Sequence, residues 1–167
     1  MSLLNKKDTD ASDPDHLVPI GPVVLTEEER EEAQRFIDSV CRREGGAYYA
    51  PKEVVDVIQR GFIATTLEAR ADRFKMMADS AHPSATERSD LIDKALSSSA
   101  KASAICPEEP LYLYRFARLL EQAGKADKAR IIFQEYLRRQ KAVPPAGPNS
   151  KELIDSAVEY AKTKVSD

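Results

Sequence analysis

The sequence predicts an all-α protein, and three observations support this fold class. Apolar residues recur at the 3.6-residue spacing of a helix face in every periodic segment. The alternation of Val and Ile that is typical of strands is missing. Two segments begin with Thr or Ser followed three residues later by Glu, which is a helix-start signal. A chain of 167 residues with 42% apolar residues can also bury a core without disulfides or metals.

Residues 1–24 are predicted to be a flexible leader or linker, because they mix Asp, Ser, Pro and Lys without periodicity. Residues 25–167 are predicted to form a single helical domain. Its first helix begins with a capping box at Thr26 and Glu29 and is stopped by Gly45-Gly46. The Glu run at 27–32 fits a first turn and a solvated face. The inward face is predicted at Ala33, Phe36, Ile37 and Val40.

The next helical pattern begins at Pro51, which suits a first helical position. Gly61 and the pair Thr65-Thr66 interrupt good helix formers, so we expect either one bent helix or two helices that meet near residues 60–65. A long loop is expected over 79–90, with a second capping box at Ser84–Glu87. The helix that follows runs to Pro107 with a face of small residues, "SSSAKASA", which predicts that another helix packs closely against it.

The segment 105–141 carries the clearest pattern, two amphipathic helices on either side of Gly124. A turn this short makes the helices antiparallel, so their apolar stripes face each other. After the Pro-rich stretch 142–150, a last amphipathic helix is predicted over about 150–165. The apolar residues of these three helices are Leu113, Phe116, Ala117 and Leu120, then Ala129, Ile132, Phe133, Tyr136 and Leu137, and finally Leu153, Ile154, Ala157, Val158, Ala161 and Val165.

Residues 110–141 resemble one tetratricopeptide repeat, a 34-residue unit of two antiparallel helices. Phe116 and Ala117 match its large-small pair, Gly124 its turn, and Ala129 and Phe133 the small and aromatic positions of its second helix. The preceding helix resembles the second helix of a degenerate earlier repeat, which gives a repeat-like core over about 63–141 and a capping helix at about 150–165. The resemblance implies a right-handed superhelical stack of hairpins with extra flanking helices. An unrelated helical bundle stays open as the alternative.

The resemblance implies a non-catalytic interaction module or scaffold that binds a peptide or partner subunit, because stacked hairpins offer a concave face. In that family the groove is lined chiefly by the first helix of each repeat. An accessory domain of an enzyme, or a structural subunit that self-assembles into a homo-oligomer, are the two alternatives. Adjacent tyrosines in the connector after the first helix are a second candidate surface. The candidate partner-binding residues are Leu111, Tyr114, Arg115, Arg118 and Gln122, with Tyr48 and Tyr49.

Other classes of function find little support in the composition. The net charge of −3, with 25 basic residues interspersed among 28 acidic ones, argues against nucleic-acid binding. No apolar run is long enough for a membrane span, and without a signal-like segment we expect a cytoplasmic protein, unless a leader or anchor has been removed. His16 and His82 lie outside periodic segments, so neither a metal nor a cofactor is expected. Cys41 and Cys106 suit half-buried thiols, with a bridge between them as the alternative.

Overall fold

The computed structural model describes residues 23–44, 52–80, 82–143 and 148–166. In those ranges every regular element is an α-helix, which confirms the predicted all-α class. Tyr48 and Tyr49 lie outside the described residues, as do Pro51 and Gly45-Gly46. The helices are α1 (Glu27–Glu44), α2 (Lys52–Asp79), α3 (Ala85–Ile105), α4 (Leu111–Gln122), α5 (Ala126–Gln140) and α6 (Pro148–Ser166).

Helix α1 begins with the predicted capping box, in which the Glu29 amide donates to Thr26 Oγ1 and the Thr26 amide donates to Glu29 Oε2. The prediction of a solvated Glu run is wrong for two of its members. Glu29 is only 5% exposed, because Lys101 of α3 donates to its carboxylate over 2.8 Å. Glu32 accepts from Arg70 of α2 at 3.0 Å. These ion pairs dock α1 on the α2–α3 hairpin.

The predicted inward face of α1 is only partly correct. Ala33 is buried, and Ile37 and Val40 are half-buried. Phe36 remains 36% exposed and forms an edge-to-face pair with Phe62 on α2, with ring centroids 5.7 Å apart. Charged contacts rather than an apolar stripe therefore hold much of this helix, which periodicity alone does not predict.

Helix α2 is continuous through residues 60–65, so the one-helix alternative is the correct one. The hydroxyls of Thr65 and Thr66 donate to the carbonyls of Gly61 and Phe62 one turn earlier, which satisfies them inside the helix. The expected long loop over 79–90 is wrong, because α3 starts at Ala85 from the predicted Ser84–Glu87 capping box. Residues 80–84 alone connect the two helices.

The seam between α2 and α3 buries mostly small side chains, as the Ser- and Ala-rich face of α3 predicts. Small residues on both helices allow the backbones to approach closely, since the distance between packed helices depends on the side chains at the contact. The buried residues are Ala64, Thr66, Leu67, Glu68, Ala71 and Ala78 on α2, and Ala95, Leu96, Ser98, Ser99, Ala102 and Ser103 on α3.

Helices α4 and α5 form the predicted antiparallel hairpin around a core of large side chains. Gly124 closes the turn with φ of +75°, a left-handed conformation that glycine adopts without strain. The predicted seam residues are buried, apart from the half-buried Leu137. The buried set is Leu113, Phe116, Ala117, Leu120, Ala129, Ile132, Phe133 and Tyr136.

Helix α6 packs mainly on α5 and touches α4 near its end. Ala157 and Ala161 are buried in the same core cluster as the α4–α5 seam, which confirms the predicted amphipathic face. Leu153, which we predicted on that face, is instead 58% exposed. It lies one turn before Ala157, in the N-terminal part of α6, where residues 150–153 are exposed.

Candidate functional site

The first helices of the two hairpins, α2 and α4, run parallel and in register. Arg60 donates to Glu108 at 3.1 Å across a sequence separation of 48 residues. Thr65 and Tyr112 pair their hydroxyls at 3.3 Å across a separation of 47. Glu68 and Arg115 continue the same register one turn later. Glu108 lies in the turn just before α4, and the separation stays at 47 to 48 residues in all three pairs. The two helices therefore point in the same direction, and each presents one side to the space between them.

The space between these helices is a cleft of about 280 Å³, which we call the α2–α4 cleft. Helix α2 forms one side, α4 forms the other, and Ser99 of α3 lies at the base. A second cleft of about 790 Å³ lies beside it, near the connection between α2 and α3, and shares Lys75 and Gln122 with the first, so the two clefts are adjacent. The α2–α4 cleft is lined by Glu68, Ala71, Asp72, Lys75, Ser99, Tyr114, Arg115, Arg118, Leu119 and Gln122.

Glu68 is the most perturbed ionisable group of the α2–α4 cleft. It is 4% exposed, Ser99 Oγ donates to its Oε1 at 2.7 Å, and the Arg115 guanidinium lies 3.8 Å from its Oε2. Burial raises the pKa of Glu68 to about 7, although Ser99 and Arg115 lower it, and the nearby Asp72 raises it further. Near neutral pH this carboxyl therefore exchanges a proton, a property that recurs at functional sites.

Away from Glu68, aromatic and charged contacts between α4 and α6 hold the side chain of Arg118 in place. The Arg118 guanidinium lies 4.2 Å from the Tyr160 ring centroid and donates to the Tyr114 hydroxyl at 3.2 Å. The Tyr160 hydroxyl donates to Glu121 at 2.6 Å, and Lys164 pairs with the same carboxylate at 2.6 Å. Helix α6 thus covers one edge of α4 and leaves the side that faces α2 open.

Four of the five candidate residues on α4 line the α2–α4 cleft. Arg115 is exposed with a single long contact to Glu68, and Gln122 is exposed between the two clefts. Arg118 is half-buried. Tyr114 is also half-buried, because it packs against Phe133, Tyr136 and Tyr160. Leu111 packs against the apolar core instead and does not line the cleft.

Sequence reasoning missed the contribution of α2, namely Glu68, Asp72 and Lys75, because it placed the candidate binding residues on α4 and at Tyr48 and Tyr49. The sequence nevertheless carried a signal for Glu68. Glu68 stands between Leu67 and Ala71 on the inward face of a helix, where a charged residue costs free energy unless it has a partner or a role. A charged residue at such a position predicts a site more specifically than an exposed Tyr or Arg does.

In the described part of the chain, neither the possible metal ligands nor the thiol of Cys106 forms a second candidate site. No three His, Cys, Asp or Glu side chains there are arranged to hold a metal ion. Cys106 is a free, buried thiol whose pKa is raised to about 11 by burial, with Glu108 adding to the effect, so it is protonated at neutral pH. The side chain of Cys41 lies outside the described residues. None of the described helices combines the length and the hydropathy that a bilayer crossing requires.

Comparison with known proteins adds no assignment, since no family model, no curated protein and no solved structure matches the chain. The geometry of the α2–α4 cleft is therefore the basis for a functional proposal.

Proposed function

We propose that this protein is a non-catalytic interaction module that holds a segment of another protein in the α2–α4 cleft. The observation that supports the proposal is the parallel, in-register pair of α2 and α4 with an open, charged cleft between them. Each hairpin contributes its first helix to this cleft. The arrangement fits a tetratricopeptide-like stack of antiparallel hairpins, and a right-handed superhelix is part of the same proposal.

The length of the site favours a polypeptide occupant. The two clefts are adjacent, and the α2 residues that line them run from Glu68 to Asp79, a rise of about 17 Å along a helix. An extended chain of about five residues covers that distance. Both clefts are partly open to solvent, so a chain can reach them from the surface. A protein segment fills such a site better than a compact small molecule does.

An accessory role in an enzyme is the second candidate, and Glu68 is the observation that favours it. A carboxyl with a pKa near 7 beside a cleft has the property that acid–base catalysis needs. Its side chain is only 5% exposed, however, and one oxygen already accepts from Ser99. A substrate proton would have to reach Oε2 past Arg115. Binding therefore explains the arrangement with fewer assumptions than proton transfer does.

Site-specific photocrosslinking in extracts of the native source tests the proposal. A photoreactive residue at Gln122 lies where the two clefts join, and one at Lys128 on the exposed side of α5 is the control. We expect a discrete protein adduct from position 122 alone, reduced in the Asp72→Ala and Arg115→Ala backgrounds. Mass spectrometry of the adduct then identifies the segment that occupies the cleft. Equal adducts from both positions, or none from position 122, would reject the α2–α4 cleft as the binding site.

A further inference from the structure

Helix α1 lies on a basic surface that α2 and α3 form together, on the side of α2 that points away from the α2–α4 cleft. Arg70 is two residues from both Glu68 and Asp72, which is about 200° around a helix, so it points to nearly the opposite side of α2. We call this surface the α2–α3 basic face, and its residues are Arg70, Arg73, Lys94 and Lys101.

Three glutamates on one side of α1 are the partners of this face. Glu28 and Glu32 each accept from the guanidinium of Arg70 at 3.0 Å. Glu29 accepts from Lys101 at 2.8 and 3.0 Å. The acidic side of an amphipathic helix is thus matched to cations from two other helices.

The cations of the α2–α3 basic face are positioned by contacts that do not involve α1. The Arg70 guanidinium lies 5.0 Å from the ring centroid of Phe74, and the Lys94 ammonium lies 5.8 Å from the same centroid. Lys94 is exposed and forms no salt bridge with any described residue. The face therefore exists without α1, and α1 leaves one of its cations unused.

Helix α1 itself is held mainly by polar contacts near the surface. Over residues 27–40 only Glu29 and Ala33 are buried, and Phe36 is 36% exposed. Ion pairs near the surface add little stability, and salt screens them. Elements with few buried apolar contacts open at a lower free energy than the core does. We therefore expect α1 to leave the basic face more readily than α4 and α5 separate.

We propose that the α2–α3 basic face is a docking surface for an acidic amphipathic helix of a partner protein, and that α1 occupies it in the free chain. The partner helix places acidic side chains where Glu28, Glu29 and Glu32 now lie, and an acidic residue beside Lys94 gives it a contact that α1 lacks. A basic helix would bring like charges together at this face. The inference concerns a second surface and does not depend on the α2–α4 cleft.

A fluorescently labelled peptide of residues 24–40 is the probe that stands for the partner helix. In the full chain α1 competes with it at a high effective concentration. The double change Glu28→Gln and Glu32→Gln weakens this competitor. The double change Glu27→Gln and Glu31→Gln removes the same charge at the same spacing, but from residues whose described ion pairs lie within α1. By fluorescence anisotropy at low ionic strength, the first variant should bind the peptide at least roughly tenfold more tightly than the second.

Equal affinities of the two double variants would overturn the inference, because the peptide would then bind outside the place of α1. No binding to either variant would do the same, as would equally tight binding of a control peptide with Gln at positions 28, 29 and 32. A dimer of the parent chain in sedimentation that the peptide dissociates would assign the face to α1 of a second copy and overturn the partner protein.

A change on α2 locates the bound peptide. Added to the Glu28→Gln and Glu32→Gln chain, Arg73→Gln should weaken the peptide about fivefold, because Arg73 lies on the basic face and pairs with Glu32 in the parent. Arg130→Gln on the exposed side of α5 is the matched control and should leave the affinity unchanged. Equal weakening by both changes would show nonspecific charge attraction and overturn the inference.

Amide hydrogen exchange tests whether α1 detaches as a unit. In the Glu28→Gln and Glu32→Gln chain, the amides of residues 31–40 should exchange at least roughly tenfold faster than in the parent, while those of α4 and α5 keep their protection. Unchanged protection of α1, or an equal loss throughout the chain, would show that α1 is a fixed part of the core and overturn the inference.

Discussion

The α2–α3 seam and the α4–α5 seam differ in the size and polarity of the side chains that they bury. The α4–α5 seam is filled by large apolar groups such as Phe116, Ile132 and Phe133. The α2–α3 seam buries mostly Ala and Ser with a few larger residues such as Leu67, and it includes Glu68, a carboxyl that is 4% exposed. Large side chains bury more apolar area per residue, so an average buried residue of the α4–α5 seam contributes more to stability. The small-residue seam holds the perturbed ionisable group at the base of the cleft.

The largest expected effect comes from truncating a large apolar side chain in the α4–α5 seam. Phe133 is 1% exposed and contacts the rings of Tyr114 and Tyr160. Phe133→Ala should lower the free energy of unfolding by about 3 to 5 kcal/mol in urea titrations, from lost transfer energy and a cavity. Leu153→Ala, at an exposed apolar position, is the control and should change it by less than about 0.5 kcal/mol. Similar small changes in both variants would show that the α4–α5 seam is not a stabilising core.

The second-largest expected effect comes from the carboxyl group of Glu68 in the α2–α3 seam. Because the pKa of Glu68 is raised to about 7 in the folded state, the folded chain holds more protons than the unfolded chain between about pH 4.5 and 7. Stability should therefore fall as pH rises through that window. Glu68→Gln keeps an acceptor for Ser99 and cannot ionise, so it should be more stable than the parent by up to about 3 kcal/mol at pH 9.

At pH 4 the Glu68→Gln variant and the parent should unfold at nearly the same denaturant concentration, because Glu68 is protonated there. Asp72→Asn removes an exposed carboxylate one turn away and should stay within about 0.5 kcal/mol of the parent at both pH values. A Glu68→Gln difference that does not change between pH 4 and pH 9 would contradict the buried, proton-exchanging state of this residue.

A smaller effect is expected when a larger side chain is introduced into the α2–α3 seam. Ala102 is fully buried among Ala64, Leu67 and Cys106. Ala102→Leu should lower the free energy of unfolding by about 2 kcal/mol, because the added methylene groups force α2 and α3 apart. Ser97→Leu, on the exposed side of the same helix, should be nearly neutral in the same chemical denaturation experiment. If Ala102→Leu is neutral as well, the two helices do not approach closely.

The two seams also differ in how far the sequence predicts them. The α4–α5 seam follows from the spacing of large apolar residues and from Gly124, because a period of 3.6 residues and a left-handed glycine are local properties. The docking of α1 does not follow, since Glu29 and Lys101 are 72 residues apart and look solvated when each is read alone. The loop between α2 and α3 was predicted too long because residues 86–90 are polar, although the Ser84 capping box marks the start of α3.

Only the α4 side of the α2–α4 cleft could be predicted from the sequence, again because periodicity is a local property. Arg115, Arg118 and Gln122 follow from the polar side of α4, which amphipathic periodicity defines. The other side depends on which helix lies beside α4, and this is a long-range relation that single-sequence periodicity does not encode. Glu68 was nevertheless detectable as a charged residue on an inward face.

The most direct test of the central claim is an NMR titration of the isotope-labelled protein with a synthetic peptide of the segment that photocrosslinking at position 122 captures. The claim predicts chemical-shift changes that cluster on both sides of the α2–α4 cleft, at Glu68, Asp72, Arg115 and Gln122. The amides of Lys128 and Arg130 on the exposed side of α5 should not move. Saturable shifts on α2 and α4 together would support binding between the first helices of the two hairpins. Shifts confined to α5 or α6, or spread evenly over the charged surface, would contradict it.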